Sequence, residues 1–541
     1  MRFRVITPKS SSRQINPFSF LLQQDEWNDF SFQTQYHLYF RGADNETILI
    51  GAVKILRKGQ TKADFLQIQT DFDTLPNEFC SLGQSLDYYE RLSSIDKVYK
   101  EEVLKALRDI IYEPDNGAGF ASEEGWNTSL LRDFNESDEF FALAGSLLER
   151  DYTKIPDEDL SFTFKMPSWK EPLEFDFTAP PVNKSYFSYE KNILPSRMIA
   201  IIGRNGSGKS TLLARIARVA HGSRRDRNDK FLTSLGSIIP DGIGFPRILT
   251  FSYSAFDSFQ LPGINLSEKE QIAKDVLKGE GRFVFCGLRD IAHELQEEIQ
   301  NYNNDKKETH LRQDRLKNTY LKSINSLADE FERTLNSANI GNNSETLEYA
   351  LNYLLEDPSF NEYRESEFKE LFTSPKDTFL SLSTGHKIVL QIIASLVAYT
   401  TPRSLVLIDE PETHLHPPLL AALMHAVRYV LNKKKAFAIV ATHSPVVIQE
   451  TLAKHVFIVK REGPIIDVKR TKIETFGENI GAITSEVFGL NSEVTDYHKI
   501  LRRIVRQDLT IEEIEELFGP YGLSLQARAY VMSLLVDNQG N

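Results

Sequence analysis

Over 541 residues the chain has only two cysteines, Cys80 and Cys286. Two thiols cannot build a disulfide framework or a cysteine-based zinc site, and such sparing use fits a reducing compartment. Also missing is any run of about 18–20 apolar residues, the length a membrane-spanning helix needs. The opening MRFRVITPKSSSRQINPFSF lacks the continuous apolar stretch of a secretion signal. A cytoplasmic protein without a membrane partner is expected. Nor is there an excess of positive charge: 63 Lys and Arg stand against 76 Asp and Glu, a net charge of −13. That excludes a general nucleic-acid-coating surface and leaves only local contacts. Internal repeats and low-complexity tracts are absent as well.

The composition that remains, 41% hydrophobic and 26% charged, is that of a globular protein with room for several domains. Residues 1–155 open with strand-like runs, YHLYF at 36–40 and ILIGAVKIL at 48–56, and pass into a helical pattern at 87–112. They read as an α+β unit, with a loop or lobe edge at the Gly-rich, acidic EPDNGAGFASEEGWN (113–127). LSFTFKMP and LEFDFTAP then alternate with period two, as half-exposed antiparallel strands do, ahead of the short buried strand MIAIIG at 198–203. Residues 264–375 are charged and mostly helical in pattern. There Leu316, Tyr320, Ile324, Leu327, Phe331 and Leu335 recur at three- and four-residue steps on one helical face. Buried strand pattern returns in SLVLIDEP (404–411) and AFAIVATHSP (436–445), and a hairpin is expected over 455–470. The tail from 487 reads as helical, with a capping box at Thr510 and Glu513.

Chemistry concentrates in a few segments. Gly203-Arg204-Asn205-Gly206-Ser207-Gly208-Lys209-Ser210 fits G-x-x-x-x-G-K-[ST] between a buried strand and the helical TLLARIARVA. Its glycines let backbone N–H groups wrap phosphates, Lys209 reaches the β and γ groups, and Ser210 suits Mg²⁺. SLVLIDEP ends in Asp409 and Glu410, and two acids at a buried strand end are costly unless a cation or a water needs them. Asp409 is therefore expected in the metal shell and Glu410 at the attacking water. His443, ending the next strand, is either structural or a switch at the γ-phosphate; its order after the two acids favours the switch. SLSTGH at 381–386 caps the helical HKIVLQIIASLVAY, a role compatible with anion binding because a helix start is itself an anion site.

In order, GRNGSGKST, SLSTGHK, LVLIDEPE and VATHSP resemble the Walker A, signature, Walker B and histidine-switch motifs of ABC-type ATPases. Without a membrane span the resemblance points to the soluble SMC-like, RecF-like and anti-phage branch, where a helical insertion divides the nucleotide domain. It implies an α/β fold: an ABC-type P-loop ATPase with a mixed sheet, an antiparallel β subdomain, a helical insertion and an extra α+β N-terminal region. The implied division is 1–155 accessory, 156–263 first ATPase half, 264–375 insertion, 376–460 second half, and 461–541 hairpin and helices. It further implies that ATP is bound by Asn205, Gly206, Ser207, Gly208, Lys209, Ser210 and Thr211. Mg²⁺ would be bound by Ser210 and Asp409, with Glu410 and His443 catalytic. Ser383 and Gly385 would touch the γ-phosphate held by a second subunit. Thr384 and His386 depart from the usual LSGGQ, and the β-branched Thr384 stiffens the loop. Gln260 in FSYSAFDSFQLP is the candidate Q-loop residue, while His414 and His416 read as a subunit contact or, less readily, a metal pair.

SYSAFDSF, SLSTGHK, DEPETHLHPP and ETFGENIGAITSEVFGL (474–490) further resemble the Septu-type PtuA ATPases of anti-phage systems in their retron-associated form. That resemblance implies an ATP-hydrolysing, oligomerising subunit that binds and restrains an HNH nuclease. In retron systems it would also bind a reverse transcriptase with its RNA–DNA product. A RecF-like repair ATPase and a nucleotide-gated scaffold with slow hydrolysis are the alternatives. The tail lacks the acidic D-x-D cluster a TOPRIM nuclease needs, and the insertion is too short for a long coiled coil. Basic clusters at HGSRRDRNDK, GAVKILRKGQTK and LRRIVR are either solvated faces or phosphate contacts.

Overall fold

The computed structural model describes residues 2–8, 10, 16–42, 46–62, 68–134, 139–156, 159–167, 169–178, 194–305, 312–360, 370–488, 496–507 and 509–539. Near the N-terminus, β1 (Phe3–Ile6), β2 (Ser19–Gln24), β3 (Gln35–Arg41), β4 (Thr47–Arg57), β5 (Asp71–Phe72) and β6 (Phe79–Gly83) form one sheet. Its order is β5-β1-β2-β3-β4-β6. Phe3, Phe20, Tyr36 and Phe40 pack from it into a core of its own, shared with helices Leu86–Ser94 and Phe140–Glu149. The helical pattern at 87–112 is not one helix. Asp96 accepts from the Val98 N–H at 2.9 Å and caps a second helix, Lys97–Ala106, so the chain turns at Ile95.

A second, antiparallel sheet joins β7 (Ser161–Lys165), β8 (Leu173–Asp176) and β10 (Ser237–Ile239), in the order β10-β7-β8. The apolar residues of β7 and β8 point one way and the polar ones the other, as their period-two pattern requires.

The central sheet holds seven strands: β9 (Met198–Gly203), β11 (Ile248–Ser252), β12 (Phe283–Gly287), β13 (Leu405–Asp409), β14 (Phe437–Thr442), β15 (Val456–Glu462) and β16 (Ile465–Arg470). Their order is β12-β11-β13-β14-β9-β15-β16, all parallel except β16. Both faces are covered, which is why these strands are continuous apolar runs. Ile199 and Ile201 of β9 face the layer containing the P-loop helix Lys209–His221. Ala200 and Ile202 face the helices Thr384–Tyr399 and Pro417–Lys434. Register aligns Asp409 with Ser252 and Ala441, and Thr442 with Ile202, so the carboxyl ends of four strands meet at one edge. Crevices outside such edges are where open α/β sheets bind ligands.

Three expectations need correction. The 264–375 stretch is not only helical: Phe283–Gly287 leaves it to become the edge strand β12, because FVFCG is a buried apolar run set among charged helices. The periodicity at 316–335 overreaches, since the helix Ile324–Ala338 starts only at its Ser323 cap. Leu316 and Tyr320 instead make extended contacts, with Leu316 N–H donating to Ser258 O at 2.6 Å and Tyr320 O accepting from Asp290 N–H at 2.7 Å. A boundary at 460 also cuts through β15, which pairs with β9 and belongs to the central sheet.

Buried ion pairs seat the N-terminal sheet and its helices on this core. Arg282 Nη1 donates to Asp87 at 2.7 Å, Arg247 Nη2 to Glu90 at 3.1 Å, and Arg91 Nε to Asp275 at 3.0 Å.

Candidate nucleotide site

The chain leaves β9 at Gly203, where a Cβ would stand 2.3 Å from Val459 O of the neighbouring strand. Only glycine allows that approach. Gly206 (φ 75°) and Gly208 (φ 100°) then take left-handed conformations that let the loop curl before the helix starts at Lys209. Among the described residues no side chain caps that helix, which leaves its first N–H groups available to an anion. Ser207 is buried, and its Oγ has no partner among the described residues.

Lys209 donates to Gly203 O at 3.2 Å, and its Nζ lies 2.7 Å from His443 Nε2. Burial draws its pKa down, while Glu410, Asp409 and Glu412 pull the other way. Ser210 Oγ donates to Asp409 Oδ1 at 3.0 Å. Burial pushes the Asp409 carboxyl up to about 7; the Ser210 hydroxyl opposes this, and Glu410 and Asp257 reinforce it. Glu410 sits in a left-handed conformation (φ 47°), and its Oε1 lies 3.0 Å from His443 Nε2. That hydrogen bond outweighs partial burial and holds Glu410 below its ordinary value. Lys209, Ser210, Asp409, Glu410 and His443, drawn from three chain segments, thus form one contact network.

These residues fit a magnesium-bound nucleotide. Free loop N–H groups, an unpartnered buried hydroxyl and a lysine suit phosphates. A hydroxyl bonded to a carboxylate that burial discourages from ionising suits a divalent cation.

Two further participants were not foreseen. Glu412, the third acid of DEPE, accepts from Thr442 Oγ1 at 2.9 Å and from the His443 N–H, fixing the end of β14 and therefore the histidine. Asp257 lines the crevice beside Ser210 and Asp409. Its signal in the sequence is an acid inside SYSAFDSF, three residues before Gln260. Gln260 lines the same crevice, but its side-chain amide is engaged elsewhere: it is buried, donates to Glu298 at 2.8 Å and accepts from Lys269 at 2.7 Å.

The signature segment lies elsewhere. Ser383 caps the helix Thr384–Tyr399 by accepting from His386 N–H at 3.3 Å, and both Ser383 and Thr384 are exposed. Gly385 lies against the loop after β13, where a Cβ would meet His414 O at 3.0 Å. His386 is buried against Phe360, with Nε2 2.9 Å from Ser359 Oγ. Among the described residues no hydrogen bond joins Ser383 or Gly385 to the P-loop. His416 caps the helix Pro417–Lys434 through Nδ1, and His414 is exposed.

Of the basic clusters, Lys54 is buried on Asp29 at 2.8 Å and cannot reach a phosphate. Arg224 pairs with Asp241, Arg225 stacks on Trp27, and Arg502 donates to Tyr530.

Residues 198–449 match the family described as "AAA domain, putative AbiEii toxin, Type IV TA system". The chain is 33% identical over 527 residues to Protein ea59 of Escherichia phage lambda, covering 95% of this chain and 94% of that one. Solved structures that align include a metal-chelate type ABC transporter in an inward-facing conformation, at 15% identity and a TM-score of 0.27. That alignment covers 61% of this chain and 89% of the transporter chain. An SMC head bound to the C-terminal winged-helix domain of ScpA aligns at 11% identity and a TM-score of 0.25, over 58% and 97% of the two chains.

Proposed function

From the premise that the chain belongs to the family of Protein ea59 and carries a P-loop ATPase fold of the ABC and SMC type, we propose that it hydrolyses ATP to ADP and phosphate. The observation that carries this is the Lys209, Ser210, Asp409, Glu410 and His443 network at the carboxyl edge of the central sheet. Loop N–H groups from Asn205 to Thr211 and Lys209 bind the phosphates, and Ser210 and Asp409 hold Mg²⁺. The metal, when bound, neutralises charge on the phosphates. Glu410, kept ionised by His443, takes the proton of the attacking water at its carboxylate. His443 orients Glu410, and Glu412 holds the histidine through its backbone. Ser383 and Gly385 of a second copy complete the site; the exposure of Ser383 and Thr384 at a capped helix start supports this, although Gly385 itself is buried against the loop after β13.

A finer layer of the proposal is that this ATPase controls an HNH nuclease in an anti-phage system, in retron form together with a reverse transcriptase and its RNA–DNA product. The motif likeness to Septu-type PtuA supports it, and a phage-borne relative is compatible with conflict between phages. One experiment addresses both layers. Glu410→Gln expressed from the native operon should retain ATP, turn over at least ~100-fold more slowly, and purify as an ATP-bound dimer carrying a nuclease subunit. Undiminished turnover removes Glu410 as the base, whereas a slow, ATP-bound but nuclease-free dimer removes the partner layer alone.

A further inference from the structure

A short strap of the chain, residues 312–316, lies across the P-loop helix. Asp314 accepts from Arg215 Nε and Nη2 at 3.0 and 2.8 Å, and Gln313 O accepts from Arg218 Nη1 at 3.1 Å. On its other side the strap pairs with the loop after β11, where Arg315 and Phe259 form an antiparallel bridge. Gln260 N–H also donates to Asp314 O at 3.2 Å. Held from both sides, Arg315 has a defined position despite its exposure. Its guanidinium lies 4.2 Å from the centre of the Phe259 ring. Nη1 donates to Ser258 Oγ at 3.4 Å and Nη2 to Thr211 Oγ1 at 3.3 Å.

Among the described residues no carboxylate pairs with Arg315, whereas its neighbours Arg215 and Arg218 both lean on Asp314. An unpaired guanidinium set beside a helix N-terminus and a lysine adds positive charge where positive charge already gathers. The arrangement becomes favourable when an anion arrives. Lys209 and Ser210 face His443 and Asp409, the edge where the terminal phosphate reacts. Thr211 is about 100° further round the helix. Its hydroxyl, and the arginine on it, therefore point in a different direction from Ser210 and the Asp409 edge.

We propose that Arg315 is a nucleotide-binding residue supplied by the 264–375 stretch, and that it clamps the α-phosphate of ATP and ADP alike. This rests on the ATPase reading of the P-loop. Because both nucleotides carry that phosphate, the contact is equally strong before and after hydrolysis, so its loss should raise KM without slowing the chemical step.

The test measures dissociation constants of ATP and ADP, together with KM and kcat, for the full-length protein and for Arg315→Ala and Arg315→Lys. Arg315→Ala should weaken both nucleotides about tenfold and raise KM to match, with kcat within about twofold, as expected for one charge-assisted contact. Arg315→Lys should recover part of the affinity through its retained charge. Unchanged affinities in Arg315→Ala would overturn the assignment, as would loss of ATP binding with ADP untouched. A lowered melting temperature of the nucleotide-free protein that Arg315→Lys fails to restore would reassign the residue to holding the strap. Wild-type protein that binds neither nucleotide sinks the ATPase reading itself, a result distinct from all of these.

Discussion

Asp409 and Glu410 are adjacent acids pushed in opposite directions. Burial raises Asp409 to about 7, while the His443 hydrogen bond keeps Glu410 low. Near neutrality one carboxyl readily holds a proton and the other is ionised, the kind of split that separates a ligand from a base. The sign of the linkage follows from the raised value. The contribution of Asp409 to folding is fully present below its ordinary value of 3.8 and is lost as pH rises through about 7. A divalent cation bound as proposed at Asp409 and Ser210 would displace the same proton. Magnesium-dependent nucleotide affinity should therefore strengthen as pH rises, by up to about tenfold per unit below pH 7, and level off above it. Titrating nucleotide against the protein across this range, with and without Mg²⁺, gives the profile. Asp409→Asn should flatten it, and a wild-type profile already flat would show that Asp409 is not the coupled proton.

At the scale of elements, the start of the signature helix is braced from the segment just before it in space. Ser359 Oγ bridges His386 Nε2 and Asp357, and Asp357 also lies 3.7 Å from His416 Nε2 at the start of the helix after Walker B. Two helix starts therefore share one buried carboxylate. The histidine that replaces the usual glutamine is thus a strut rather than an exposed ligand. Ser359→Ala should cut turnover by up to about tenfold, the worth of one buried hydrogen bond to a charged network. Binding of nucleotide to the isolated P-loop should survive, and Ser359→Thr should restore turnover. Turnover equal to wild type in Ser359→Ala would leave the brace without consequence. None of it was visible beforehand, because Ser359 and His386 are 27 residues apart and meet only through tertiary packing. The same limit explains the other omissions. β9, β13 and β14 were readable because a parallel strand buried on both faces is an unbroken apolar run. β12 was hidden because five apolar residues among charged neighbours carry no periodicity of their own. The P-loop and the two acids were found because their chemistry is local in sequence. Glu412 and Asp257 were not, since their roles depend on which strand end they face.

For the whole molecule, the proposed site takes its P-loop from one copy of the chain and Ser383 from another. Ser383 is exposed at its helix start, and the P-loop lies at the edge of the central sheet. If a second copy supplies the missing half, two defects in different half-sites should complement each other, which no single-chain mechanism permits. Lys209→Ala disables the P-loop of its own chain, and Ser383→Arg blocks the half-site its chain offers to a partner. Each variant alone should be inactive, because every site in its dimer contains the defect. In a mixed dimer one site gathers both defects and the other gathers none. Random equal mixing makes half the dimers mixed, each with one working site of two, so about a quarter of wild-type turnover should return on mixing if sites act independently. Steady-state ATPase assays on each variant and on the refolded or exchanged mixture decide the matter. No recovery, in a mixture shown to contain mixed dimers, would confine hydrolysis to one chain. In that event SLSTGH would be a helix cap held by His386 and nothing more.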